Sequence, residues 1–245
     1  KLPNASEHVA RSDIVKRLCA WHILVTMGSG RTKGVIFDFD GTMGCSLPHW
    51  ASAYQSTLAE FGAHRELPEV IEMCFSRKTS EVLQQLAITD AHAFRESVWT
   101  RVKELMPTVE PYPGCIDTLR AFKTSSVKTG VATNSRIGHI SVALDRWGIM
   151  DAFHAVIAID HVPRGKPHPD SLHKALELME VDPSEAIMFG DSPIDVHAGH
   201  AAGVTTVAFC PQENHRFCPP PLLEAANPTH IVRSYSELRD LVLSL

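Results

Sequence analysis

The sequence has little that would mark a metal-knit, secreted, membrane or nucleic-acid-binding protein. Its six cysteines, Cys19, Cys45, Cys74, Cys115, Cys210 and Cys218, form no CxxC pair and no Cys/His cluster with zinc-finger spacing. In a chain of 245 residues that pattern reads as free thiols in a reducing compartment. No apolar run approaches the roughly 20 residues that cross a bilayer. Lys and Arg number 23 against 28 Asp and Glu, a formal net charge of −5, so the overall basic footprint of a nucleic-acid binder is missing. There is no internal repeat and no low-complexity tract; Pro219-Pro220-Pro221 is a brief local loop. With 44% hydrophobic and 21% charged residues the composition excludes a disordered chain. The length suits one large domain, or a core carrying a smaller insert.

The first 32 residues stand apart. Lys1, Arg11, Lys16, Arg17, Arg31 and nearby Lys33 outnumber Glu7 and Asp13, and a short apolar stretch over 18–27 is broken by His22. Two readings stay open: a surface helix over 13–24 followed by a Gly28-Ser29-Gly30 linker, or the remnant of an organellar targeting peptide. The expected location is otherwise the cytoplasm.

Five short apolar runs, at 34–39, 129–133, 155–159, 186–189 and 205–209, lack polar alternation and read as strands buried on both faces. Helical patterns separate the last four, over 137–147, 171–179 and 195–202, with Gly148 and Gly203 as stops. Strands alternating with helices predict a doubly wound parallel α/β sheet. Between the first two strands, residues 44–110 read almost entirely as helix. The apolar stripes are Trp50/Tyr54/Leu58/Phe61, Val82/Leu83/Leu86 and Phe94/Val98/Val102/Leu105. A block this large is an insert rather than a crossover, and Pro111-Tyr112-Pro113-Gly114 marks the return to the core. The expected division is 1–32 as an extension, 33–43 and 111–245 as the core, and 44–110 as a helical cap.

Four motifs fall at strand ends, where open α/β sheets bind ligands. Asp38-Phe39-Asp40-Gly41-Thr42 follows the first strand, and alternate residues Asp38 and Asp40 can converge on one site. Paired carboxylates repel unless a cation neutralises them, and Mg²⁺ prefers such oxygen donors. Gly41 permits a sharp turn beside a ligand. Gly190-Asp191-Ser192-Pro193-Ile194-Asp195 follows the fourth strand; Asp191 can complete a metal site, while Asp195 either caps the next helix or holds the neighbouring groups. Gly165-Lys166-Pro167 offers a loop cation. Ala132-Thr133-Asn134-Ser135 offers a hydroxyl and a helix N-terminus, an anion site or a plain cap.

In this order the motifs resemble the four motifs of the haloacid dehalogenase-like hydrolase superfamily, which is mostly phosphatases. The resemblance runs from about Lys33 to the C-terminus, where 227–243 also looks like the family's ending. It implies a Rossmann-like core with an inserted helical C1 cap. It implies Asp38 as nucleophile and Asp40 as general acid and base. Thr133 and Lys166 would serve the transferring phosphoryl group, with Gly41 and Asn134 beside it. Mg²⁺ would be held by Asp38, the backbone carbonyl of Asp40, and Asp191, and Asp195 would support that set. Halide-displacing relatives lack the magnesium carboxylates, so Asp40 and Asp191 speak against dehalogenation.

The stretch Cys74-Phe75-Ser76-Arg77-Lys78-Thr79-Ser80-Glu81-Val82-Leu83 resembles β-phosphoglucomutase, where the arginine at the position of Arg77 grips the non-transferring phosphate. Two departures favour a phosphatase over a mutase: the fourth motif begins Gly190-Asp191 rather than Glu-Asp, and the mutase histidine ten residues past the second aspartate is here Trp50, with His49 out of register. Met43-Gly44-Cys45-Ser46 also departs from the family, which commonly has Leu first and an Asp-Ser pair. Trp50, Tyr54 and His49 either line the cap side of the cleft or, for the two aromatics, pack the cap's own core. The implied partner is a small phosphorylated metabolite, for a monomer or homodimer, with no nucleic acid and no membrane. A phosphomutase and a non-catalytic binding protein of the same fold are the alternatives.

Overall fold

The computed structural model describes residues 32–245. The readings of the N-terminal segment, including its helix over 13–24, lie outside the described residues, and so does Cys19. The other five cysteines are free thiols. No helix among the described residues is long and apolar enough to cross a membrane.

The sheet is built from β1 Gly34–Phe37, β2 Lys128–Ala132, β3 Ala155–Ile157, β4 Ala186–Gly190, β5 Thr205–Phe209 and β6 His230–Val232. All pairs are parallel and the order is β3-β2-β1-β4-β5-β6. The five expected strands are present, the last with the expected ends and the others with ends shifted by one or two residues, and β6 joins them at one edge. β1 stops at Phe37, although Asp38 N–H still donates to the Phe189 carbonyl at 2.8 Å. β3 stops at Ile157 because a 3₁₀ turn, Ile159–His161, bends the chain away.

Alternate residues of a strand face opposite sides, and both sides here are apolar. Val35 and Phe37 join one core cluster; Ile36 between them joins the other. Helices α5 Cys115–Thr124, α6 Ile137–Arg146 and α9 Tyr235–Ser244 cover the first face. Helices α7 Asp170–Met179 and α8 Pro193–Ala202 cover the second. On the first face Phe37, Phe189 and Phe209 from β1, β4 and β5 meet the ring of Tyr235, with centroids 5.5–6.5 Å apart. Each such burial is worth about 1.5–3 kcal/mol. Tyr235 also donates its hydroxyl to the Thr42 carbonyl at 2.9 Å, so the core anchors the loop after β1.

The insert comprises α1 Leu47–Glu60, α2 Leu67–Ser76, α3 Thr79–Gln85 and α4 Ala91–Leu105. α2 lies between the first two apolar stripes; Pro68 sits in its first turn, and the backbone N–H of Glu66 donates to Glu69. Tyr54 sits among Phe75, Phe94 and Trp50, with centroids 6.2–6.5 Å away. The two crossings between core and insert run side by side: Cys45 N–H donates to the Glu110 carbonyl and Tyr112 N–H to the Met43 carbonyl, both at 2.9 Å. A second tie joins α4 to the loop before α6, where Arg136 lies over the Trp99 ring at 3.4 Å and pairs with Glu96 at 2.7 Å.

Candidate active site

The chain fills one side of β1 with β2 and β3, then crosses to the other side with β4. β1 and β4 are therefore neighbours at the point where the order reverses, the usual ligand crevice of such sheets. Asp38 leaves the end of β1 and Asp191 the end of β4. One oxygen of Asp38, Oδ1, accepts the Phe39 N–H at 2.7 Å and the Lys166 ammonium at 2.8 Å. Its other oxygen, Oδ2, has no hydrogen-bond partner among the described residues.

Lys166 stands between two carboxylates, with Nζ also 2.6 Å from Asp195 Oδ1. The side chains of Lys166 and Asp195 are each only 2% exposed. Asp195 Oδ2 accepts from the Ser192 N–H at 3.1 Å and the Ser192 hydroxyl at 2.7 Å, so Asp195 both caps α8 and grips the lysine. Both readings offered for it apply together. Gly190 makes this possible: a Cβ there would fall 2.5 Å from the Asp195 Cβ and 2.3 Å from its Cγ. A glutamate at this position, as in the mutase pattern, has no room in this backbone.

Asn134 differs from the expectation. Its side chain is spent on the lysine loop, accepting the Lys166 N–H at 2.8 Å and donating to the Lys166 carbonyl at 2.9 Å. It sets the lysine's backbone and leaves only its own N–H, unpartnered among the described residues, for an anion. The helix N-terminus is likewise narrower as an anion site than expected. The Ser135 N–H is taken by Thr133 Oγ1 at 3.0 Å, and the Ile137 N–H by Asp160 at 2.7 Å. Thr133 is buried at the end of β2, with its hydroxyl hydrogen still free to donate.

Gly41 has φ +72°, and a Cβ there would lie 2.2 Å from Asp191 Oδ2, so only glycine lets the loop after β1 approach that carboxylate. Thr42 Oγ1 donates to Asp191 Oδ1 at 3.2 Å, and Asn214 donates from Nδ2 to Asp191 Oδ2 at 3.3 Å and to the Gly41 carbonyl at 2.8 Å. Tyr112 donates to Asn214 Oδ1 at 2.5 Å. Asn214 lies in the loop after β5, with no sequence signal beyond being an Asn among polar neighbours.

Asp40 has a separate set of donors. Its Oδ1 accepts from Ser46 at 2.6 Å and from the Trp50 indole at 2.7 Å, and its Oδ2 from Ser135 at 2.5 Å. Trp50 thus packs on Tyr54 and reaches the site as well. Tyr54 is part of the insert's own core, and His49 turns to Thr108 Oγ1 at 3.0 Å. Arg77 is exposed at the end of α2, where it donates to Gln85 Oε1 at 2.6 Å. None of its hydrogen bonds reaches the other site residues.

Oxygens of Asp38, Asp191 and Asp195 lie within 4.8 Å of one another. Three buried carboxylates against one ammonium leave two negative charges uncompensated. Burial first, then the repulsion of Asp195 and Asp40, raises Asp38 to about 7 despite Lys166. Burial, then Asp195 and Asp38, also hold Asp191 well above the usual carboxylate range. Burial lowers Lys166, but Asp195 and Asp38 outweigh it and its net shift is upward. An all-oxygen donor set short of two positive charges suits a hard divalent cation. Asp195 already carries the Lys166 ammonium and two Ser192 donors, whereas Asp191 receives one long bond on each oxygen, at 3.2 and 3.3 Å, and Asp38 Oδ2 receives none, so Asp38 and Asp191 are the carboxylates such an ion would draw on.

The sign of these shifts predicts how stability depends on pH. A carboxyl whose folded value is raised adds stability below its unfolded value near 3.8, and that stability is lost as pH rises through about 7. In chelator, the urea midpoint is expected to fall between pH 5 and pH 8. The fall should shrink with saturating divalent cation and flatten in Asp38→Asn. A slope unchanged by both would show that these carboxyls do not set it.

The model described as haloacid dehalogenase-like hydrolase matches residues 35–209. Phosphoglycolate phosphatase 1 of Pseudomonas aeruginosa is 29% identical over 219 residues, covering 85% of this chain and 78% of that protein. Fructose-1-phosphate phosphatase YqaB of Escherichia coli is 29% identical over 182 residues, covering 72% and 96%. A HAD family hydrolase from Deinococcus radiodurans, solved with bound phosphate and sodium, superposes with a TM-score of 0.71 at 27% identity, covering 88% of this chain and 96% of that one.

Proposed function

The chain belongs to the haloacid dehalogenase-like hydrolase family, and we propose that it is a Mg²⁺-dependent phosphatase that cleaves a small phosphomonoester through a phosphorylated Asp38. The observation that carries this reading is the buried Asp38–Lys166–Asp195 set facing Asp191 across the ends of β1 and β4. A carboxylate attacking an anionic phosphate needs fixed positive charge and strict positioning.

In the first step Asp38 Oδ2 bonds to phosphorus as the bond to the leaving oxygen breaks, and Asp40 gives that oxygen its proton. In the second, water attacks phosphorus, Asp40 takes the water's proton, and the bond to Asp38 breaks. The products are an alcohol and inorganic phosphate. The Thr133 hydroxyl and the Asn134 N–H bind the phosphoryl oxygens, and Lys166 compensates their charge. Asp38, Asp191 and the backbone carbonyl of Asp40 hold Mg²⁺, which supplies charge neutralisation for nucleophile and phosphate. Asn214, Thr42 and Gly41 keep Asp191 in place, and Asp195 keeps Lys166 in place. The two phosphatases named above support a small phosphorylated metabolite as substrate, a sugar phosphate or a phosphoglycolate-like acid.

Residues 44–110 act as a cap over a core of 33–43 and 111–245, and residues 1–32 form an extension. The protein works in the cytoplasm as a monomer or homodimer, with Arg77 on the cap available to a substrate's second anionic group.

The test is phosphate release from a panel of phosphorylated metabolites with Mg²⁺ or with EDTA. Release that EDTA removes and added Mg²⁺ restores is the expected result. Folded protein that releases phosphate from none of them, yet interconverts sugar phosphates, would move the assignment to a phosphomutase.

A further inference from the structure

Trp50 belongs to the insert, yet its indole N–H ends on Asp40 in the core, 2.7 Å from Oδ1. The body of the ring packs on Tyr54, which is itself locked between Phe75 and Phe94. The tip is therefore held by the insert's aromatic cluster. Ser46, just ahead of α1, donates to the same oxygen at 2.6 Å and lies 3.4 Å from the Gly44 carbonyl, a second acceptor. Oδ2 has one partner, the Ser135 hydroxyl.

We propose that Trp50 is a positioning residue: by holding Oδ1 it fixes the orientation of Asp40 and assigns Oδ2 to the exchange of a proton with the leaving group and then with water. The proposal rests on the phosphatase reading above and adds to it a residue outside the four motifs. An indole N–H donates only. A proton on Oδ1 would set hydrogen against hydrogen there, whereas the Ser135 hydroxyl can turn and accept from Oδ2. The leaving oxygen thus receives the Oδ2 proton as its bond to phosphorus breaks, and the same oxygen takes the proton of the attacking water. Because the donor sits on α1, Asp40 is fully oriented only while the insert lies against the core.

Trp50→Phe keeps the ring and deletes the donor. General acid catalysis is worth about 10²–10⁴-fold, and loosening the acid should cost kcat/KM on an alkyl phosphate such as 2-phosphoglycolate about tenfold or more. On p-nitrophenyl phosphate, whose leaving group needs little protonation, the loss in kcat/KM should be much smaller; this ratio reports the phosphorylation of Asp38 and leaves out the later attack of water, which both substrates share. Equal losses of kcat/KM on both substrates would assign Trp50 to packing alone and overturn the proposal. Asp40→Asn, measured alongside, keeps the two ideas apart. If it shows no leaving-group dependence, the acid–base assignment of Asp40 is wrong; if it does and Trp50→Phe does not, only the role of Trp50 falls. Should Trp50→Phe not fold, Trp50→His, which keeps a ring N–H, is expected to hold the ratio of the two rates near wild type, and a collapsed ratio overturns the proposal.

Discussion

Asp38→Asn is expected to lower turnover by about 10⁴-fold or more, the scale on which enzymes lose a nucleophile. The carboxamide has nearly the shape of the carboxylate and can still accept from Lys166 and from the Phe39 N–H, so the fold has little reason to change. What disappears is the oxygen nucleophile at the end of β1, and no nearby group can replace it. Asp191 is held by Thr42 and Asn214, Asp195 by Lys166 and Ser192, and Asp40 by three other donors. The same substitution removes one of the crowded negative charges. The metal-free variant should therefore be at least as stable as wild type near neutral pH, because burial and the neighbouring carboxylates oppose the charge on Asp38. Phosphate release and urea unfolding on one preparation check both halves. Turnover within tenfold of wild type would show that Asp38 is not the attacking group.

Lys166→Met is expected to cost both activity and stability. Removing one partner of a buried ion pair typically costs about 3–5 kcal/mol, because the other charge stays buried and unpaired. Here the stranded partners are two, Asp38 and Asp195, the latter 2% exposed. For a chain of this size such a loss lowers the melting temperature by roughly 10 °C. A surface lysine would show nothing comparable, since exposed pairs contribute about 0–1 kcal/mol. The double variant Lys166→Met with Asp195→Asn removes the charge on each side and should recover part of the stability while activity stays lost. Recovery of activity would contradict the role given to Lys166. Additive losses of stability in the double variant would mean that the two side chains do not act as a pair.

The fold was legible because its signals are local. Runs such as Val35-Ile36-Phe37 and Ile187-Met188-Phe189 are apolar on both alternating faces, which fits a sheet covered by helices on both sides. β6 is harder to see: His230-Ile231-Val232 is three residues long and only its last residue is buried. α2 has an apolar stretch at 70–75 split by Glu72, and it escapes a search for single stripes. In the candidate site, Asp38 and Asp191 each follow directly on a strand, Asp195 sits in the first turn of the helix after β4, and Lys166 lies in the loop between β3 and α7. Knowing the sheet suffices to bring them to one edge.

By itself the sequence determined the doubly wound sheet, the helical insert between its first two strands, and the strand-end groups that converge on Asp38. It did so because strand periodicity, turn residues and strand ends are properties of adjacent residues. Only the tertiary structure decided the partners of those groups. Thr42 meets Asp191 across 149 positions, Gly41 meets Asn214 across 173, and Asp40 meets Ser135 across 95. Trp50 reads from sequence as an apolar helix residue that either lines the cleft or packs the cap; that its N–H ends on Asp40 follows from where the insert rests on the core. The side chain of Asn134, a residue legible as an anion binder or a cap, is drawn onto the lysine loop, where its amide satisfies both an N–H and a carbonyl and leaves the backbone N–H for the proposed anion. A hydrogen bond is decided by angles and tenths of an ångström, and those are fixed only when sheet order, helix placement and burial act together.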